Sequence, residues 1–164
     1  MNGPTARPAA GLPSVVAPSV VPSLPPGATM ALWALSALGA GVEVELPLYV
    51  SGGKWLHPLF DLLDLLASES DEAATLAAAG ELFLRDRVIG RGAAFLILRA
   101  GIRNAWADVV SDGAIALFAT HGARLGGGEH VASIDCQTES LLRAVDDPDL
   151  AWTLLQERRA APSA

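Results

Sequence analysis

ELFLRDRVIGRGAAFLILRAGIRNAWADVV, residues 81–110, is the stretch whose reading decides the fold. Residues 81–85 read as a short strand, 88–100 (VIGRGAAFLILRA) as a mostly apolar helix stopped by Gly101, and 102–110 (IRNAWADVV) as a second strand. A strand, a helix and a strand in so short a span form a crossover unit, which joins parallel strands with right-handed connectivity. Downstream the pattern repeats. Ser111 caps a helix over 112–121 that Gly122 ends, Gly126-Gly127-Gly128 reads as a flexible connection, and 129–135 (EHVASID) is the last strand. Two helices follow over 138–145 and 148–158, the second with Asp147 as N-cap and Pro148 in its first position. Upstream, Leu59, Leu62, Leu63 and Leu66 recur at helical spacing with Asp61 and Asp64 opposite, predicting an amphipathic helix over 56–67 with Pro58 in its first turn. A second helical piece, 71–79, ends at Gly80. Before these, 30–37 and 42–50 read as two strands joined by a turn over 38–41. In 42–50, Val42, Val44, Leu46, Leu48 and Val50 alternate with other residues, the mark of a strand with one buried face, and Pro47 places it at an edge or bulge. The order predicts an α/β protein, a three-layer α-β-α arrangement around a mixed five-stranded sheet.

Composition narrows the function classes. The chain has 164 residues, 51% of them hydrophobic and 18% charged, with a net charge of −7, enough for one domain with a genuine core. An acidic excess argues against a nucleic-acid polymer as partner, because phosphate contacts require clustered Lys and Arg. Cys136 is the single cysteine, which excludes an internal disulfide and any multi-cysteine metal site and points to a reducing cytoplasm. The apolar run from Ala28 to Val42 looks superficially like a secretory hydrophobic region, but it has no basic flank and is too short to span a bilayer, so no membrane association is expected. Residues 1–29 hold seven of the eleven prolines and a single charge, Arg7, predicting a disordered arm. The folded domain is then expected over 30–159, with 160–164 as a disordered tail, and residues 30–164 carry a net −8. High apolar content in a small domain suggests a homodimer.

Three pieces of sequence carry a family resemblance: Arg85-Asp86-Arg87-Val88-Ile89-Gly90-Arg91-Gly92-Ala93-Ala94, then Asp108-Val109-Val110-Ser111-Asp112, then Cys136-Gln137-Thr138-Glu139 followed by Asp146-Asp147-Pro148. Together with Ser51 and Pro58-Leu59, they resemble the uncharacterised prokaryotic DUF1893 family, and that resemblance implies a cytidine-deaminase-like fold. The family's Asp-Lys pair appears here as Asp86-Arg87, and its Cys-Pro-Met-Glu as Cys136-Gln137-Thr138-Glu139. Zinc deamination needs an H-x-E and a P-C-x-x-C motif at successive helix starts. The corresponding stretches here are His57-Pro58-Leu59, without a glutamate, and Arg87-Val88-Ile89-Gly90-Arg91, without a cysteine. The expectation is therefore a deaminase-like module with no zinc and no cofactor.

Site candidates follow from residue type and position. Arg87 to Gly92 reads as a helix start where free N–H groups favour an anion, where Gly90 and Gly92 allow close approach, and where Arg87 and Arg91 add charge, with Arg85 nearby. The alternative is that the glycines serve packing and the arginines pair with acids. Asp86, at a strand-to-helix junction, is a candidate general base or ligand-binding carboxylate, or else a cap or ion-pair partner. Cys136 is a candidate nucleophile with Glu139 or His130 assisting, or simply a buried small side chain. Ser111 is a candidate ligand contact at the next junction, with capping as the alternative. The Asp146, Asp147 and Asp149 cluster reads as helix capping around Pro148 rather than a divalent-metal site. Three functional expectations result: a module binding a small anionic ligand such as a nucleotide through Arg87, Gly90, Arg91 and Ser111, a metal-independent enzyme using Asp86, Cys136 and Glu139, and an oligomeric structural or partner-binding protein.

Overall fold

A computed structural model describes residues 21–38, 46–68 and 72–161. The elements run β1 (Met30–Ala34), a 3-10 turn (Leu35–Leu38), β2 (Tyr49–Ser51), α1 (His57–Ala67), α2 (Glu72–Ala78), β3 (Leu82–Ile89), α3 (Arg91–Arg99), β4 (Asn104–Ser111), α4 (Asp112–Thr120), β5 (Arg124–Val131), α5 (Gln137–Leu142) and α6 (Pro148–Ala160). The sheet order is β2-β1-β3-β4-β5. β1 is antiparallel to both β2 and β3, whereas β3, β4 and β5 are parallel and joined by α3 and α4. This is the expected mixed five-stranded sheet in a three-layer α/β fold, with the α-helices on one side and the 3-10 turn and leading segment on the other.

The two faces of the sheet are clad unequally. Met30, Leu32, Leu82 and Leu84 face a large apolar cluster to which α1 to α6 all contribute, with α3 at its centre through Ala94, Leu96 and Ile97. On the alternate strand positions, Ala31, Trp33 and Phe83 meet Leu35 and Leu38 of the 3-10 turn and Val21 and Leu24 of the leading segment. Pairing of odd and even positions on opposite faces follows from the strand period of two.

Several boundaries differ from expectation for identifiable reasons. β3 runs on to Ile89, and α3 begins only at Arg91, because Val88 and Ile89 pair with Val109 and Val110 of β4 before Gly90 turns the chain. An apolar run continuous through this junction offers no period change to mark it. Gly126-Gly127-Gly128 is not a loop but the middle of β5. A Cβ at Gly126 would stand 2.8 Å from the Trp106 ring and one at Gly127 2.5 Å from Val110, so bare backbone on β5 makes room for large side chains on β4. β2 is an edge strand, as Pro47 predicts, but only Tyr49–Ser51 pair. Its expected buried face is reversed: Tyr49 packs against the core, while Leu46, Leu48 and Val50 are exposed. Val50 pairs with Ala31 and so shares the thinly covered face. Val42 and Val44 lie outside the described residues, as does most of the expected turn over 38–41.

The arm expected over 1–29 is also docked along its last nine residues. Pro22 and Ala28 are buried, the Arg85 Nε donates to the Pro22 carbonyl at 3.0 Å, and the Thr29 backbone N–H donates to the Ser51 carbonyl at 2.8 Å. Residues 1–20 and 162–164, and with them the rest of the arm and most of the tail, lie outside the described residues. Among those that are described, no helix is long and apolar enough to cross a membrane.

Candidate functional site

A cavity of about 360 Å³ opens where β3 ends and the starts of α1 and α3 converge. Crevices beyond the carboxyl ends of parallel strands are the usual ligand position in open α/β sheets. The wall on one side is the segment Gly53-Lys54-Trp55 leading into α1, and on the other Ile134, Cys136, Thr138 and Glu139 around α5; Asp86, Arg87, Val88 and Gly90 form the rim between them.

The first wall is held rigidly. The Thr29 Oγ1 donates to the Gly53 carbonyl at 2.7 Å, the Gly53 N–H donates to the Ser51 Oγ at 3.2 Å, and Gly52 lies so close to Gly27 that a Cβ would stand 2.9 Å from its carbonyl oxygen. Trp55 then adopts φ of +55°, the one non-glycine residue with positive φ among those described. Such a conformation costs on the order of 1–3 kcal/mol and persists where the surroundings enforce it. Its indole N–H donates to the Thr138 Oγ1 at 3.1 Å, which ties the α1 entry to α5, and the residue, 41% exposed, lines the cavity.

The second wall explains the Gly90-Arg91-Gly92 motif. The Arg91 backbone N–H, first of α3, donates to the Glu139 Oε2 at 2.7 Å. A Cβ on Gly90 would stand 2.7 Å from that same oxygen, and one on Gly92 2.8 Å from the Thr138 methyl. The glycines therefore admit α5, and the start of α3 already holds an anion, the buried carboxylate of Glu139. Arg91 is buried and turned away from the cavity. Its Nε donates to the Leu142 carbonyl at 2.8 Å, and its Nη2 to the Val145 carbonyl and, at 2.8 Å, to Asp146 Oδ1, fastening the α5–α6 connection.

The remaining candidates divide cleanly. Asp86, Arg87, Gly90, Cys136 and Glu139 meet at the cavity; Arg91 and Ser111 do not line it. Ser111 is fully buried and its Oγ accepts from the Ala114 N–H at 3.1 Å, the cap of α4. Cys136 is exposed rather than buried, and its Sγ accepts the Glu139 N–H at 3.4 Å. His130 lies on β5, paired with Val110, outside the lining. Asp147 caps α6 through the Asp149 N–H at 3.0 Å, as the capping reading holds. Arg85 reaches the other face, stacked 4.3 Å from the Trp106 ring and paired with Asp108 at 3.0 Å. Lys54 and Trp55 are among the lining residues not expected from sequence; the lone lysine of the chain, placed after Gly52-Gly53 and just before a helix, is the local signal for them.

Electrostatically the site mixes signs. Burial pushes the Asp86 carboxyl up to about 7, although the Arg87 and Val88 backbone N–H groups and Arg85 favour its charged form; the Arg87 N–H stands 2.7 Å from Oδ1. Arg87 and Lys54 have side chains with no hydrogen-bond or ion-pair partner among the described residues. A carboxyl that titrates near neutrality, two cations unengaged by any described residue and an exposed tryptophan thus share one concavity.

A family model described as Domain of unknown function (DUF1893) matches residues 57–158, spanning α1 to α6. The chain belongs to the DUF1893 family. The crystal structure of a DUF1893 family protein from Thermotoga maritima superposes with a TM-score of 0.60 at 16% identity, covering 80% of each chain. At that identity the likeness concerns the fold. No curated protein matches the chain. In this DUF1893 protein the matched region carries α3, α5 and the Asp86–Gly90 rim, while Lys54 and Trp55 fall just before it.

Proposed function

We propose that this DUF1893 chain is a zinc-free, deaminase-like module that binds a small anionic ligand, a nucleotide being the first class to test, in the cavity beside Asp86. One observation carries the reading: in a domain with excess acid, the Lys54 ammonium and the Arg87 guanidinium, neither engaged by a described residue, line the same concavity as the exposed Trp55 ring. The cations supply charge-assisted contacts to phosphate or carboxylate, and the indole supplies a flat apolar surface for a ring. The α3 N-terminus is not part of this mechanism, since Glu139 occupies it. Its volume lies within the range of about 300–1,000 Å³ usual for small-molecule sites.

Zinc, which a deaminase-like fold implies, does not fit the donors present. The start of α1 is His57-Pro58-Leu59 and that of α3 is Gly90-Arg91-Gly92, which leaves neither a paired thiolate nor the proton-shuttling glutamate on α1.

A nucleotide panel read by thermal shift tests the proposal. A bound nucleotide raises the melting temperature in proportion to its saturation. Arg87→Glu and Lys54→Glu each abolish the shift while leaving the unliganded protein folded, because both side chains are peripheral to the core. Absence of a shift with any nucleotide, sugar phosphate or dicarboxylate overturns the reading.

A second reading is favoured by Asp86. A carboxyl titrating near neutrality inside a cavity is suited to general acid–base work, with Cys136 and Glu139 on the opposite wall. Under it, Asp86→Asn preserves ligand binding and removes turnover.

A further inference from the structure

Thr29 stands just before β1, in the stretch expected to be a disordered arm, and it lines the cavity beside Asp86. All of its polar groups are spent on the segments that carry the two cations of that cavity. Its backbone N–H donates to the Ser51 carbonyl at 2.8 Å, and its carbonyl accepts the Arg87 N–H at 3.2 Å. Its Oγ1 stands 2.7 Å from the Gly53 carbonyl and 3.2 Å from that of Ser51, and a hydroxyl has one proton to give, so the shorter contact takes it. Two heavy atoms on the threonine Cβ restrict its rotamers, which keeps the hydroxyl on that carbonyl.

The Gly53 carbonyl belongs to the peptide unit that enters Lys54, and the Lys54 carbonyl in turn accepts the His57 N–H at 3.3 Å. Lys54 is thus pinned on both sides of its Cα. Gly52 and Gly53 ahead of it give the segment no stiffness of its own, so the tether is not redundant. Trp55 follows at φ of +55°, a conformation that persists only where its surroundings hold it, and the Thr29–Gly53 bond is one of the contacts that do so. We propose that Thr29 is a positioning residue of the cavity beside Asp86: its hydroxyl sets the Lys54 backbone and its carbonyl the Arg87 backbone, so that both cations address one anionic ligand. This role rests on that cavity being an anion site. A hydroxyl that only fastened the sheet edge would add stability and leave affinity alone.

The test titrates inorganic pyrophosphate into the full chain by calorimetry. Thr29→Val keeps the branched shape and both backbone bonds and removes the hydroxyl; it binds about threefold to tenfold more weakly than the parent, the size of one neutral hydrogen bond. Thr29→Ser, which keeps the hydroxyl, recovers most of that affinity. Thr120→Val, which removes a hydroxyl bonded to the Ala116 carbonyl on α4, leaves it unchanged. Positioning adds a signature of its own: Lys54→Gln weakens pyrophosphate less in the Thr29→Val background than in the parent, because an ammonium that is no longer held has less to lose. Thr29→Ala carries the same comparison where the valine is not accommodated. Equal binding by the parent and Thr29→Val, no recovery with serine, additive losses in the double variant, or a lowered melting temperature with affinity intact overturns the positioning role alone. A parent that does not bind pyrophosphate overturns the anion site and the role together.

Discussion

Asp86 is where single-residue chemistry and stability meet. Its ordinary pKa is near 4, and burial lifts the folded-state value to about 7. Between those values the folded protein holds a proton that the unfolded chain has released. The contribution of Asp86 to stability is therefore fully present below about pH 4 and is lost as pH rises through 7, the opposite of a salt-bridged aspartate. Asp86→Asn keeps the acceptor facing the Arg87 N–H and cannot ionise. After allowance for the partial exposure of the position, we expect it to be more stable than the parent by about 1–2 kcal/mol at pH 8 and equal to it at pH 4, measured by urea unfolding at both. A gap that is the same at both pH values refutes the assignment. Gly90 is the second decisive residue. Gly90→Ala places a methyl at 2.7 Å from Glu139 Oε2 and displaces that carboxylate from the α3 start. A loss of about 1–3 kcal/mol is expected, consistent with overpacking at a buried site, and calorimetry reads it directly.

Among the elements, α3 is anchored through its first residue, Arg91. Glu139 satisfies its first N–H, and Arg91 reaches from its first turn to carbonyls on the α5–α6 connection. Arg91→Met leaves those carbonyls unpaired and Asp146 without its partner, and a destabilisation of about 2–4 kcal/mol is expected. Hydrogen exchange should show faster opening of α5 and α6 than of β3 and β4 in that variant. Ser111 acts on one element only. Ser111→Ala removes the side-chain acceptor for the Ala114 N–H and should cost about 1 kcal/mol, with nucleotide response at the Asp86 cavity unchanged. The helices were legible because each carries a local mark: Pro58 and Pro148 in first turns, Asp147 and Ser111 as caps. The β3–α3 border was not, because Val88 and Ile89 suit a strand and an apolar helix equally, and β4 settles the matter.

Across the whole molecule, burial is lopsided. The helical side of the sheet encloses α3, whereas the other side is closed by a 3-10 turn and residues of the leading segment. Native-state exchange should therefore be slowest at Ala94, Leu96 and Ile97 and in the paired centre of β3 and β4, and fast in the three-residue edge strand β2. Equal protection of β2 and β3 contradicts this distribution. By itself the sequence determined the strand–helix alternation, the α/β class, the caps, and the candidacy of Asp86, Arg87, Gly90, Cys136 and Glu139 at strand-to-helix junctions, because periodicity, capping and such junctions are local properties. Only the tertiary structure decided what those residues face. It assigned the glycines at 90 and 92 to the docking of α5, filled the α3 start with Glu139, turned Arg91 and Ser111 inward, and brought in Lys54 and Trp55. Each of these depends on which distant segment supplies the neighbour, and distances between segments far apart in the chain are set by packing, not by local pattern.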